Sequence, residues 1–327
     1  MKYNPLYTIC LAAAVLLAGA GRAQPSGPSR GHVSVGFWNV ENLFDTVPSP
    51  FGGDQDFTPA GAYRWDTERY TTKIANLARV LDDMNLDVVG LAEVEDRAVL
   101  ADLVRACKTD YAFIHLTGGD RRGIDQALLY KGDKFFPDPD RGVRLISSAA
   151  GREFLYVRGK LAGHRVDLIV VHLPSAMNPL DRRRAAARSL VQFVDSLTRA
   201  DPAALPILMG DFNATAAERF MREQLGTGHR AQDGIPRFIC PFHKLEKGGA
   251  GTYVWDGRWR MYDHIFLPPA FLGGSGLRYD GCGVFIREYM LRPSTGRNRG
   301  APLRTFSGGT WEGGYSDHLP VWVSLIF

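Results

Sequence analysis

Apolar and polar residues alternate between two regimes along the chain: short runs rich in β-branched and aromatic residues, and longer stretches whose apolar residues recur every three or four positions. The first regime predicts strands over residues 33–40 (VSVGFWNV), 86–94, 126–130, 155–161, 166–172 and 207–210. An Ala162-Gly163-His164 turn between the fourth and fifth predicts a hairpin. The second regime predicts helices over 68–84, where Ile74, Leu77, Ala78 and Leu81 form a stripe, over 96–107, and over 181–199, which Pro202 and Pro206 close off. Residues 46–65 are polar and turn-rich, long enough for a functional loop. The final third adds short β segments at 251–255, 261–267, 283–285 and 319–326. Strands alternating with helices, followed by an antiparallel tail, predict one α/β domain whose two sheets pack face to face under outer helices.

Composition narrows the class without naming a function. The chain has 327 residues, 45% hydrophobic and 23% charged, near globular averages, which excludes a disordered, collagenous or coiled-coil protein. Residues 1–23 have the layout of an export signal: Lys2, an apolar run over 9–20 and small residues before Gln24. That run is shorter than the ~20 residues of a spanning helix, so cleavage is expected rather than anchoring. A Pro/Gly/Ser spacer at 24–31 and a catalytic domain at 32–327 complete the expected organisation, with a secreted or periplasmic location, no remaining transmembrane anchor and no stable protein partner. The formal charge of +4 includes Lys2 and Arg22. Without them 37 bases face 35 acids, so attraction for phosphate must come from local arrangement. Outside the signal, Cys107, Cys240 and Cys282 allow at most one disulfide, Cys240 with Cys282, or else three small buried thiols.

Candidate chemistry collects where strands stop. Trp38-Asn39, Ala92-Glu93, Val171-His172, Gly210-Asp211-Phe212-Asn213, Tyr262-Asp263-His264 and Ser316-Asp317-His318 each set acid, amide or imidazole groups beside an apolar run. A single Asp or Asn in such a place is usually a turn or cap residue, but six such ends rim one sheet edge, where α/β folds bind ligands. Carboxylate and amide oxygens are hard ligands for Mg²⁺, Mn²⁺ or Ca²⁺, and no cysteine pair or His-x-x-x-His spacing is present to hold structural zinc. Asn39, Glu93 and Asp317 around one divalent ion, with histidines near, are equipped for phosphoester hydrolysis.

The ordered set Asn39, Glu93, His172, Gly210-Asp211-Phe212-Asn213, Tyr262-Asp263-His264 and Ser316-Asp317-His318-Leu319-Pro320 resembles the endonuclease/exonuclease/phosphatase superfamily over residues 33–327. Asn39–Asp45, Phe57-Thr58-Pro59, Glu68-Arg69-Tyr70, Gly90–Glu95 and Arg122–Asp125 look like its secreted bacterial branch. The resemblance implies a four-layered α/β/β/α sandwich with two mixed, mainly antiparallel sheets. It further implies a divalent cation at Glu93 with Asn39 and Asp317 close by, and His318 as general base on water with Asp263 behind it. Asp211 and Asn213 would position water and phosphate, and His172 would donate to the phosphate or help protonate the leaving oxygen. Most members carry Gln before the metal-binding Glu, where this chain has Ala92, and abasic-site enzymes carry Tyr where His172 stands. His264, one residue beyond Asp263 on an alternating strand, faces the other way and stays outside the set. Glu41, Asp45 and Glu95 are expected at the surface or as supports of the site. Arg122 and Arg182 are candidate contacts to substrate phosphate. Trp255, Trp259, Tyr262, Trp311 and Tyr315 either stack bases or pack the second sheet, and packing is the favoured reading. The leading expectation is a phosphodiesterase on nucleic acid. A phosphatase or phospholipase with the same core, and a phosphate-binding module without turnover, are the alternatives.

Overall fold

The computed structural model describes residues 31–50, 52–140, 142–227, 237–273, 276–293 and 300–327. The signal expected at 1–23 and nearly all of the spacer expected at 24–31 lie outside them. Gly31–Phe327 form one compact unit. Its elements run β1 (His32–Leu43), α1 (Thr67–Met84), β2 (Val88–Val94), α2 (Arg97–Ala106), β3 (Ala112–His115), β4 (Asp125–Tyr130), β5 (Phe135–Pro137), β6 (Val143–Ser147), β7 (Glu153–Leu161), β8 (His164–His172), α3 (Leu180–Ala200), β9 (Pro206–Asp211), α4 (Arg219–Leu225), α5 (His243–Lys247), β10 (Tyr253–Trp255), β11 (Arg258–Arg260), β12 (Asp263–Phe266), β13 (Arg278–Val284), β14 (Phe306–Ser307), β15 (Thr310–Trp311) and β16 (Val321–Ile326).

Two sheets follow the same plan. The first has the order β13-β16-β1-β2-β4-β3, and the second β12-β9-β8-β7-β5 with β6 also on β7. Each holds one parallel pair, β1 with β2 and β8 with β9, and is otherwise antiparallel. A parallel pair needs a crossover, and the helical stripes of α1 and α3 supply the two. Asp66 caps α1 by accepting from the Arg69 amide, and Asn85 ends it in the left-handed region at φ 48°. One core lies between the sheets, built from residues such as Val35, Phe37, Leu168, Val170 and Val323. A second packs α1 and α2 on the first sheet, and a third packs α3 and α4 on the other. The layers are therefore α/β/β/α, as expected. Gly90 lies at the close sheet-to-sheet contact, where a Cβ would come within 2.8 Å of Met209 Sδ and force that side chain to shift.

The hairpin turn at Ala162 and Gly163 takes positive φ at both positions, and β7 and β8 pair from Leu155–Val170 to Leu161–His164. Strands β3, β5 and β6 and helices α4 and α5 were not legible in the hydrophobic pattern. Of the two readings for the cysteines, the structure shows the unpaired one: Cys107, Cys240 and Cys282 are all free thiols, with no Cys240–Cys282 disulfide. Cys282 Sγ donates to the Pro241 carbonyl at 3.3 Å, and both Cys240 and Cys282 pack as small apolar groups against the inter-sheet core. No helix among the described residues is long and apolar enough to cross a membrane.

Candidate active site

Both parallel pairs end at the same place. Asn39 pairs with Ala92 across β1 and β2, and His172 pairs with Asp211 across β8 and β9. Asp263 pairs with Asp211 from the other side. Gly210 admits this register, since a Cβ there would lie 2.2 Å from the Val171 carbonyl oxygen. On β1 and β2 the ladder is broken by paired irregularities, with Glu41 at φ 54°, Asn42 at φ 49° and Glu93 at φ 67°. A bulge re-aims a side chain out of the alternation. Here the Asn42 amide donates to Glu93 Oε2 at 3.0 Å and fixes the carboxylate at the rim.

The six strand ends converge on one cleft of about 370 Å³, lined by Asn39, Glu93, His172, Asp211, Asn213, Asp317 and His318, with Arg122, Arg152, Tyr253 and Trp255 around them. Asp263 lies beneath it, fully buried, with Oδ2 2.7 Å from His318 Nδ1. His318 Nε2 is 3.7 Å from Asp211 Oδ2, and Asn39 Nδ2 donates to that same oxygen at 3.1 Å. The Ser-Asp-His segment is held at three points. Trp38 Nε1 donates to the His318 carbonyl at 2.9 Å, Ser316 Oγ donates to the Asn39 carbonyl at 2.6 Å, and the His318 amide donates back to Ser316 Oγ at 3.0 Å. The Tyr253 ring covers the imidazole of His318, centroids 4.7 Å apart.

Electrostatics separate the two histidines. Burial lowers the proton affinity of both. For His318 the carboxylates of Asp263 and Asp211 overcome burial and hold it well above the usual histidine range. His172 has no such support. Burial, with the positive charges of Arg152, Arg122 and His318, pushes it well below that range. His172 is thus neutral near pH 7 and offers an N–H as a hydrogen-bond donor; protonating a leaving oxygen as an imidazolium does not suit it. Asp211 is pushed up to about 7 by burial and by the nearby Asp263 charge.

Each expected residue has a definite place. Asn213 takes φ 49°, its amide N–H bonds Asp211 Oδ1 at 2.8 Å, and its side chain donates to the Leu173 carbonyl at 3.0 Å. His264 faces away, fully buried, 3.1 Å from the Ala214 carbonyl. Arg122 reaches the cleft, its Nη1 3.8 Å from Glu93 Oε1. Arg182 does not line it: the guanidinium is spent on the Ala150 carbonyl at 3.1 and 3.2 Å and on Asn178. Its neighbour Arg183 turns inward and donates to the Asn213 carbonyl at 2.6 Å. Glu41, expected at the surface or in support, is buried and accepts from the Thr305 amide at 2.7 Å. Trp311 and Tyr315 do pack, but not on the second sheet: Trp311 lies against Trp65 and Phe306 and Tyr315 is buried in the core of α1 and the first sheet, while Trp255 is 47% exposed at the cleft and Trp259 also faces solvent.

Arg152, Tyr253 and Lys73 went unread in the sequence. Arg152 and Tyr253 sit in a turn and a three-residue strand, and only their position beside Gly151 and before Trp255 marks them. Lys73 lies on the apolar face of α1, fully buried, and donates to Thr305 Oγ1 at 2.6 Å and the Tyr315 carbonyl at 2.7 Å.

The donor set fits a hard divalent cation. Glu93, Asp317 and Asn39 line the same cleft, where Asp317 Oδ2 pairs with Arg304 at 2.7 Å and Asn39 Oδ1 accepts from the Glu41 amide at 3.0 Å, and Mg²⁺ needs only one or two protein carboxylates, a part that Glu93 can fill. Among the described residues, a tighter group of possible ligands is Asp211, Asp263 and His318, whose donor atoms lie within 4.8 Å of one another. The Asp263–His318 hydrogen bond already accounts for that proximity, so the Glu93 rim is the better fit. Asp263 Oδ1 and His172 Nδ1 are buried without a hydrogen-bond partner.

The model of the endonuclease/exonuclease/phosphatase family matches residues 34–326. No curated protein matches the chain in sequence. Among solved structures, a humanised zebrafish (D. rerio) TDP2 is 19% identical over 90% of this chain and 98% of its own, with a TM-score of 0.58. A Bacteroides thetaiotaomicron endonuclease/exonuclease/phosphatase family protein is 19% identical over 91% and 98%, TM-score 0.59. A mannosyl-6-phosphatase from the same organism is 20% identical over 90% and 100%, TM-score 0.58. At such identities these likenesses establish the shared fold.

Proposed function

The chain belongs to the endonuclease/exonuclease/phosphatase family and is a metal-dependent phosphoester hydrolase, and from that premise we propose that it is a phosphodiesterase acting on nucleic acid. The likenesses include a TDP2 crystallised with a single-strand DNA product and a mannosyl-6-phosphatase, so they leave the ester class open. The observation that carries the reading is the shape of the cleft. Tyr253, Trp255 and Asp317 line both the reaction cleft and a second one of about 320 Å³ beside it that contains Arg304. An exposed indole at the junction is a stacking platform for a base, and the extended surface suits a chain better than a lone phosphate.

The residues divide the work. In its deprotonated form, which the Asp263 and Asp211 charges confine to the upper end of the pH range, His318, with Asp263 fixing its tautomer, accepts the proton of the attacking water at Nε2. Asp211, across from Nε2, orients that water, while neutral His172 and the free N–H of Asn213 donate to phosphate oxygens where charge grows. Glu93, with Asn39 and Asp317, would hold a divalent ion that would supply Lewis-acid polarisation of the phosphoryl oxygen; Mg²⁺ or Mn²⁺ suits the oxygen donors. Residues 1–23 are proposed as an export signal, which mature-protein sequencing beginning at Gln24 would support.

A metal-by-substrate screen tests the proposal: single-stranded DNA and RNA, a model diester, a sugar phosphate and a phospholipid, each with Mg²⁺, Mn²⁺ or Ca²⁺. Cleavage of polynucleotide by the wild type and its loss in His318→Ala is expected. Turnover of monoesters alone would overturn the nucleic-acid reading.

A further inference from the structure

Two arginines share one carboxylate at the Glu93 side of the cleft. Arg152 Nη1 pairs with Asp120 Oδ2, and Arg122 Nε lies 3.6 Å from Asp120 Oδ1. Both guanidiniums line the cleft, and the Arg152 side chain is only 14% exposed. The close pair with Asp120 belongs to Arg152, so the Arg122 guanidinium has no carboxylate within hydrogen-bond distance. Glu93 Oε1 at 3.8 Å and Asp120 Oδ1 at 3.6 Å both attract Arg122 but are too far for hydrogen bonds, and Glu93 Oε2 is taken by the Asn42 amide. Arg152 is withdrawn from water and closely paired with Asp120, while Arg122 is 46% exposed at the cleft and keeps its donors open to an anion there.

The mount of Arg152 is rigid. Arg152 N and Ala150 N both donate to Ser148 Oγ, Arg182 clasps the Ala150 carbonyl, and Ala149 N donates to Ser189 Oγ. The facing loop is tied down by Gly119 N to Glu153 and Gly118 N to Asp125. Arg122 N closes onto Asp120 Oδ1 at 2.9 Å. A planar donor held this way is preorganised for phosphate oxygens.

The cleft thus has two unlike ends. Tyr253 covers His318 and neighbours Tyr262 at one end, and Arg122 and Arg152 stand with Glu93 at the other. We propose that Arg122 and Arg152, joined through Asp120, form a fork that binds a second phosphate of the substrate, the one next to the scissile phosphate. This rests on the phosphodiesterase reading and narrows it: the preferred substrate carries consecutive phosphates, as an oligonucleotide with a terminal phosphate does and a single diester does not.

The test compares two dinucleotides that differ by one terminal phosphate, TpT and pTpT, together with TpTp for the other end. The wild type is expected to show kcat/KM about tenfold higher on one phosphorylated form than on TpT, the size of one charge-assisted contact. In Arg152→Gln that ratio falls toward one. In Arg152→Lys, which keeps the charge and the Asp120 pair, part of the ratio survives, and this variant decides if the Gln protein does not fold. A ratio unchanged in the variants, or equal losses on all three substrates, would overturn the fork, because the arginine would then serve the scissile phosphate or nothing. If the wild type cleaves none of them, the phosphodiesterase reading fails. Calorimetric titration with thymidine 3′,5′-bisphosphate then decides the fork alone: binding by wild type about tenfold tighter than by the Arg152 variants supports it, and equal binding overturns it.

Discussion

Asp263 Oδ2 stands 2.7 Å behind His318 Nδ1, while its register partner Asp211 presents Oδ2 3.7 Å in front of Nε2. One carboxylate orients the ring and the other faces the position where water would lose its proton. In Asp263→Asn an amide N–H replaces the acceptor behind Nδ1, which forces the proton to Nε2 and removes the base. The expected loss in kcat is about 10²–10⁴-fold, the usual worth of a positioned acid or base. The far-UV spectrum should be unchanged. A loss under threefold, measured under metal saturation, would sink the assignment of His318 as base.

Glu93→Gln tests the metal rim. The amide keeps the shape and still accepts from Asn42, but removes the negative charge from the donor set. The Mg²⁺ or Mn²⁺ concentration giving half-maximal rate should rise by roughly tenfold or more, the range seen when groups that hold a metal are weakened. An unchanged metal titration would move the ion to the Asp211, Asp263 and His318 side of the cleft.

How much of this is legible in the sequence follows the length scale of each signal. The strands that carry Asn39, Glu93, His172, Asp211 and Asp263 are apolar runs that stop at polar residues, and the period of two already placed His264 on the opposite face from Asp263. The bulges at Glu41, Asn42 and Glu93 leave no trace in hydrophobic spacing, because positive φ at a non-glycine residue is imposed by tertiary contacts. The expectation for Arg182 failed and Arg152 was missed for one reason. The first is conspicuous among three arginines on a helix yet spends its donors on a turn carbonyl, while the second is a lone arginine that the turn it supports delivers to the cleft. Long side chains reach too far for sequence position to fix their targets.

Lys73 ties α1 to the loops before His318. Its ammonium is pushed down to about 8 by burial, with Glu41 and Asp317 opposing that fall. Lys73→Met leaves Thr305 Oγ1, the Tyr315 carbonyl and the charge of Glu41 without their cation, and removing one member of a buried charged group costs about 3–5 kcal/mol. Urea denaturation should show a loss of that order. A variant within ~0.5 kcal/mol of wild type would mean that water enters and replaces the ammonium.

His264 makes stability pH-dependent. Burial pushes its folded pKa down to about 4, against an ordinary value of 6.5. A depressed folded pKa means stability that is complete above pH 6.5 and is lost as pH falls toward 4, because the unfolded chain takes up the proton first. The full span is worth about 3 kcal/mol by linkage. His264→Gln, which can still donate to the Ala214 carbonyl, should be less stable than wild type at pH 7 and show a shallower loss between pH 6.5 and pH 4. Parallel curves for the two proteins across that window would show that His264 does not control the slope.

Trp255 separates stacking from packing. At 47% exposure on the β10–β11 hairpin, its indole contributes little to any core, so Trp255→Ala should change stability by less than ~0.5 kcal/mol. Its position on both clefts places it where a base beside the scissile phosphate would stack. Loss of one stacked base is worth about 1–3 kcal/mol, roughly a 5- to 150-fold rise in KM for an oligonucleotide. A small aryl diester, which has no neighbouring base, should suffer far less. The decisive measurement is therefore the difference between the two substrates in one variant. If both KM values rise together, Trp255 shapes the reaction cleft itself; if neither moves, the extended surface does not bind the chain, and the nucleic-acid reading loses the observation that carries it.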